Sequence, residues 1–256
     1  MIGTVDRRIL GAFVGVDAIT GASVVPAIPV SAPQWNIKPN RSGTYVIFDG
    51  PGFHKLTGQF DLVDAWPPST KFEVTLKDPT QHYLPRRAIV EAPAPIPAIP
   101  PPLTTPAGIF APQKIALYPS AAAVFGPNWA VIHASVTKSG SNPLKGLPWA
   151  VLQVINTSDN SVMATGQTGP NGEALLAVIG LTVQANSSGG GPVTVSSVAA
   201  NITAYFDPTN LTQPSGWIPN PDDVLDKLTN PALVSSSQSV QLSAGQELSM
   251  TFSLTV

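Results

Sequence analysis

The sequence predicts an all-β protein: two antiparallel β-sandwich domains joined by a proline-rich linker, with one short helix in the second domain. Three observations predict it. Short apolar runs alternate with period two, Gly, Asn and Pro punctuate them, and one dense proline tract divides the chain near its middle. In Lys71–Leu76 the alternation is strict, with Phe72, Val74 and Leu76 on one face and Lys71, Glu73 and Thr75 on the other. That is the signature of a strand half-buried on a sheet.

The domain borders follow from the proline tract. Residues 92–112 carry Pro at 93, 95, 97, 100, 101, 102, 106 and 112. Such a segment favours an extended polyproline conformation and cannot donate to a sheet ladder. It is read as a spacer between an N-terminal sandwich over 1–91 and a C-terminal sandwich over 113–256. The competing reading, an SH3-type ligand, lacks an Arg or Lys flanking the PxxP to fix its orientation.

Within the first domain the strand candidates are Thr44–Phe48, Gly58–Val63, Lys71–Leu76 and Arg87–Val90. In the second they are Ala130–Val136, Trp149–Ile155, Glu173–Val178 and Val198–Phe206. Ser239–Leu242 and Glu247–Val256 read as a closing hairpin around Ser243–Gln246. The last of these is also a candidate edge open to a partner strand, the alternative being an ordinary final paired strand. The helix is expected near 221–228, with Asn220 as N-cap, Pro221 at the first helical position and Asp222 and Asp223 in the first turn, and it is expected to lie across one end of the sandwich.

Composition narrows function. Of the 256 residues, 43% are hydrophobic but only 11% are charged, and the formal net charge is −2. A typical soluble domain is about 25% charged, so the surface here is expected to be covered by partners or by Ser, Thr, Asn and Gly. Nucleic-acid binding, which needs a dense basic patch, is disfavoured. The absence of cysteine leaves no disulfide framework and suits a reducing compartment. No apolar h-region occurs at the N-terminus and no apolar run reaches the ~18 residues of a membrane helix, so neither a signal peptide nor a transmembrane segment is predicted. Asn-x-Ser/Thr sequons at Asn40, Asn156, Asn186, Asn201 and Asn210 are expected by chance in such a composition.

Catalysis is not predicted. His54, His82 and His133 each stand alone in sequence, where a metal site would want ligands at short, structured spacing. No Gly-x-Ser-x-Gly elbow occurs, and Gly189–Gly191 lacks the Lys and helix start of a phosphate loop. The carboxylate pairs Asp222–Asp223 and Asp61/Asp64 read as a helix cap and a turn rather than as the facing acids of a glycosidase. No catalytic residue, metal or cofactor is assigned. The remaining signal is aromatic. Trp35, Trp66, Trp129 and Trp217 sit beside or near Pro in loops, and His54 has aromatic and basic neighbours. These five are the candidate partner contacts. Each Trp is either a plug closing a sandwich end, an anchor for a protein partner, or a platform for a sugar.

A repeated local pattern runs through both halves. Asp17, Thr20 and Gly21 are followed by Asn40 and Gly43, and Asp159 is followed by Asn171 and Gly172, each set ending in an apolar run. This resembles the carboxypeptidase regulatory-like (transthyretin-type) β-sandwich family. The order Asp17-Ala18-Ile19-Thr20-Gly21, then Asn40-Arg41-Ser42-Gly43-Thr44-Tyr45-Val46, then Asp78-Pro79 and Tyr83-Leu84-Pro85-Arg86-Arg87 resembles accessory proteins encoded beside the cap protein of phage-tail-like contractile injection systems. The resemblance spans most of residues 15–180. It implies a non-catalytic adaptor bridging cap, collar, terminal sheath or tube subunits, a ring-forming homo-oligomer, assembled in the bacterial cytoplasm and carried into the particle. The alternative is a cell-surface or carbohydrate-binding module; a cargo or effector role is a third option.

Overall fold

In the computed structural model, the described residues are 9–53, 68–92, 111–181, 183–184, 194–195, 197–214 and 216–256. The expected strand Gly58–Val63, the Asp61/Asp64 pair, the Gly189–Gly191 loop and linker positions 93–110 lie outside them. The chain divides into two compact units: Met1–Val16, Ala22–Pro79 and Arg87–Ala116 belong to the first, and Asp17–Gly21, Thr80–Arg86 and Leu117–Val256 to the second. Both are all-β, built of sheets faced against each other.

The first unit contains β1 (Gly11–Asp17), β2 (Val30–Ser31), β3 (Asn36–Pro39), β4 (Thr44–Asp49), β5 (Thr70–Leu76), β6 (Arg86–Ala92) and β7 (Gln113–Leu117). One sheet has the order β3-β4-β1-β7 and the other β2-β5-β6. The strict alternation of Lys71–Leu76 is realised in β5, where Phe72, Val74 and Leu76 are buried. Tyr45 on β4 opposes Phe13 on β1, and their rings stack at 4.7 Å. Its hydroxyl donates to the Ile28 carbonyl. An aromatic pair in cross-strand register with its polar tip satisfied joins packing to hydrogen bonding at one residue.

The second unit contains β8 (Ala130–Lys138), β9 (Val151–Asn156), β10 (Val162–Gln167), β11 (Glu173–Val178), β12 (Val183–Gln184), β13 (Thr194–Val195), β14 (Ser197–Phe206), β15 (Val234–Ser243) and β16 (Glu247–Leu254). Its two main sheets are β10-β9-β14-β15 and β11-β8-β16, with β12 and β13 pairing separately. The inner faces meet in one apolar core. Ile132 and Val136 of β8, Leu176 of β11, Phe252 and Leu254 of β16 pack with Leu152 and Val154 of β9, Ile202 and Phe206 of β14, and Leu242 of β15.

Three expectations are corrected. Ser239–Leu242 and Glu247–Val256 do not form a hairpin, because β15 and β16 lie in different sheets. The turn Ser243–Gln246 carries the chain across the sandwich, closed by Gln246 N–H to Ser243 O at 3.1 Å and Ser243 N–H to Gln246 Oε1 at 2.9 Å. Consequently β16 runs parallel to β8, with Glu247 beside Val131 and Leu254 beside Lys138, so this sheet is not wholly antiparallel. The helix α1 is shorter than expected, Pro221–Leu225, though its N-cap is Asn220 as predicted. After Leu225 the chain continues as turns, with Lys227 N–H bonding back only three residues to Val224 O. α1 packs against β9.

The two turns singled out in sequence share their hydrogen bonding. Asn40 N–H bonds Thr44 O and Gly43 N–H bonds Asn40 O; Gly169 N–H bonds Glu173 O and Gly172 N–H bonds Gly169 O. Gly43 (φ +82°) and Gly172 (φ +79°) are both left-handed, and a Cβ on either would fall 2.5 Å from Val24 O or 2.7 Å from Val136 O. Only glycine meets both demands. The strands leaving them pair differently, however: β4 pairs β1, whereas β11 pairs β8.

Gly43→Ala and Gly172→Ala should each destabilise their unit by about 2 kcal/mol or more. Gly140→Ala, at φ +73° but in open space, should cost about 1 kcal/mol; denaturant melts of the three variants check the difference. Burial pushes the Tyr45 hydroxyl up from 10.0 to about 12. Its neutral form in the folded state therefore contributes stability that is complete below pH 10 and fades as the pH rises towards about 12. Tyr45→Phe should lose about 1 kcal/mol at neutral pH, and alkaline melts should show the variant less sensitive over that window.

Candidate interaction surface

Of the sequence-predicted contact residues, Trp35, Trp129 and Trp217 lie among the described residues, and each is half-buried. Trp35 precedes β3 and is half-buried, stacked on Phe72 at 3.7 Å and tilted against Phe53 at 5.8 Å. Gly50 makes room for it, since a Cβ there would lie 2.3 Å from the indole. Trp129, just before β8, is half-buried against Phe125, with centroids 6.2 Å apart, and against Gly126. Trp217 is half-buried in the segment leading to α1, its N–H bonded to Pro214 O at 3.1 Å. His54 and Trp66 lie outside the described residues. His133 sits on β8 as expected of a strand residue, its Nε2 2.8 Å from Glu247 Oε1 of β16. Among the described residues no three His, Asp or Glu side chains gather as a metal centre would require.

Two features of the second unit escaped the sequence. The first is a buried arginine. Arg86 is 2% exposed, donates Nη1 to Asn220 Oδ1 at 2.8 Å and Nη2 to Asp222 Oδ2 at 2.6 Å, and lies 5.9 Å from the centre of the Tyr118 ring. Burial pushes the Tyr118 hydroxyl up. One guanidinium thus grips both the cap and the first turn of α1. The signal was present: Arg86 shares the buried parity of β6 with Ala88, Val90 and Ala92, a place where a charge needs a partner. From sequence alone, Asp222 reads as a first-turn acid of the helix, and nothing in its local pattern points to Arg86.

The second feature is the outer face of the β14–β15 pair. Its rows set Ala199 beside Gln241, Asn201 beside Ser239, Thr203 beside Ser237 and Tyr205 beside Ser235. Ser239 Oγ donates to Asn201 Oδ1 at 2.7 Å and Thr203 Oγ1 to Ser237 Oγ at 3.0 Å. The ladder is polar, exposed along β15 and free of charge.

Turn chemistry fixes the loops. Asp17 Oδ1 accepts Ile19 N–H, Thr20 N–H and the Thr20 hydroxyl at 2.7–3.1 Å, while Oδ2 accepts the Tyr83 hydroxyl at 3.0 Å. Gly21 N–H closes this turn onto Asp17 O, and Asn160 N–H closes onto Asn156 O in the same way. In the second copy of the pattern the counterpart of Asp17 is therefore Asn156, not Asp159. Asp159 instead accepts the Ser161 hydroxyl and N–H, which hold its carboxyl below the usual range. Sequon residues Asn40 and Asn156 spend their side-chain oxygens in such turns.

No family model and no curated protein matched the chain. Among solved structures it is similar to "The Bacillus anthracis TIE protein", with a TM-score of 0.27 and 9% identity over 96% of this chain and 34% of that one. The chain spans about a third of that structure's length, and at this similarity the likeness decides nothing about function.

Asp222→Ala leaves a buried guanidinium short of a carboxylate and should cost about 2–3 kcal/mol, whereas Arg86→Met lets the half-exposed Asp222 turn to water and should cost about 1–2 kcal/mol. Chemical denaturation of both variants checks the order; the reverse order would show that the Arg86 fork is not what holds α1.

Proposed function

We propose that the protein is a non-catalytic structural adaptor of a phage-tail-like contractile injection particle, bridging cap or collar, or terminal sheath and tube, by protein contacts. The observation that carries this reading is the neutral, hydrogen-bonded outer face of β14 and β15. Charged residues are depleted from the centres of protein interfaces, and a chain with 11% charged residues falls well short of the roughly 25% of a typical soluble domain. The motif order over residues 15–180 supplies the particle context. The expected partners are cap, sheath or tube subunits and further copies of the chain, met in the bacterial cytoplasm during assembly. At Trp35 the stacked Phe72 ring occupies one indole face, which favours a plug there over a sugar platform.

Cryo-microscopy of purified particles should find the two β units at fixed stoichiometry near a particle end. Intact particles from which the protein is missing would reject the assignment.

A further inference from the structure

The main sheets of the second unit end in four edge strands, β10 and β15 in one and β11 and β16 in the other. β10 carries a register irregularity at Val162–Ala164 and β11 begins at the charged Glu173, which leaves β15 and β16 to be compared. In an antiparallel pair, successive residues alternately exchange both backbone bonds with their neighbour and turn both away. Thr157 N–H donates to Ala199 O at 3.0 Å, so Ala199 faces β9 and its partner Gln241 turns away from β14. By alternation Ser235, Ser237 and Ser239 also present N–H and C=O to the open side. Ser243 agrees, since its N–H goes to Gln246 Oε1 rather than to β14. No hydrogen bond from a described residue reaches the outward backbone groups of Ser235, Ser237, Ser239 or Gln241.

On β16 the even-numbered residues face β8, because Gln246 O accepts Val131 N–H and Leu254 O accepts Ser139 N–H. Glu247, Ser249, Thr251 and Ser253 therefore face outward. This edge is guarded. Gln238 reaches from β15 and donates its amide to Thr251 O at 2.7 Å, and Glu247 adds a charge. Protein edges are normally blunted by charge, proline, bulges or short length. β15 has none of these devices: it is ten residues long, pairs with β14 without a register shift, and contains no charged residue and no proline.

We propose that the β15 edge is a homotypic interface, at which a second copy of the chain adds its own β15 antiparallel about a two-fold axis. Neutrality selects this occupant. A two-fold pairing sets the central residues of the strand against one another, and a charged strand would repel its own copy. Along the outer row Ser meets Ser or Gln, and two identical strands match over all but one end residue. The paired four-stranded sheets become one continuous sheet. The inference goes beyond the particle assignment and does not depend on it.

Sedimentation of the full chain across a micromolar concentration series tests it. The wild-type chain should form a closed dimer. Ser237→Pro removes an outward N–H without breaking the β14 ladder, and the double variant Ser237→Lys with Ser239→Lys sets like charges across the axis. Each should weaken dimerisation by about tenfold or more while the far-UV circular dichroism stays that of the wild type. Ser249→Lys, on the outer face of β16, should leave the dimer intact. A monomer throughout the series, open-ended polymers, or a dimer that survives both β15 variants would overturn the proposal. Loss of the protein from particles with the dimer intact would sink only the adaptor assignment.

Discussion

Each half-buried strand must hide one row of side chains, and in the second unit the rows of β8, β9, β11, β14 and β16 are hidden between the two main sheets. Ile132 and Val136 on one layer meet Leu152, Val154, Ile202 and Phe206 on the other, all fully or nearly fully buried. At about 25 cal/mol per Å² of apolar surface removed from water, this interlayer is the main source of stability, and polar chemistry is pushed to the rims and outer faces. With no cysteine to staple the chain, the turns and the Arg86 fork only have to position what the core already holds. The same logic explains how few of the buried side chains among the described residues are polar, and why Arg86 comes with Asn220 and Asp222 attached.

Much of the fold was legible because burial writes itself into period two. The β5 alternation, the ten-residue β14 and the Asn220–Pro221 helix start are all visible as residues in order. Partner choice was not legible. Alternation in Ser239–Leu242 and Glu247–Val256 states only that each strand has one dry face, and a crossing between layers satisfies that as well as a hairpin does. Strand length was also understated where serine dominates: β15 begins at Val234, yet Ser235, Ser236 and Ser237 carry no apolar signal, and the strand exists there because β14 supplies ten consecutive partners.

The candidate contacts show a similar split. At Trp35, Trp129 and Trp217 tryptophan near proline does mark loop positions, but sequence cannot say whether an indole is packed by its own domain. Phe72 lies 37 residues beyond Trp35 and is its stacking partner. The features that distinguish the surface instead come from small neutral residues, which carry no motif and become a pattern only when β14 and β15 lie side by side.

The parallel pairing of β16 with β8 has a bearing on how the protein is made. Residue 131 leaves the ribosome long before its neighbour 247, so the inner strand of the three-stranded layer waits with one flank bare while the intervening chain is synthesised. Contacts so distant in sequence slow folding and prolong exposure of unpaired backbone. The ordering of this layer thus waits until residues 247–254 have been made and settle against β8 to close it.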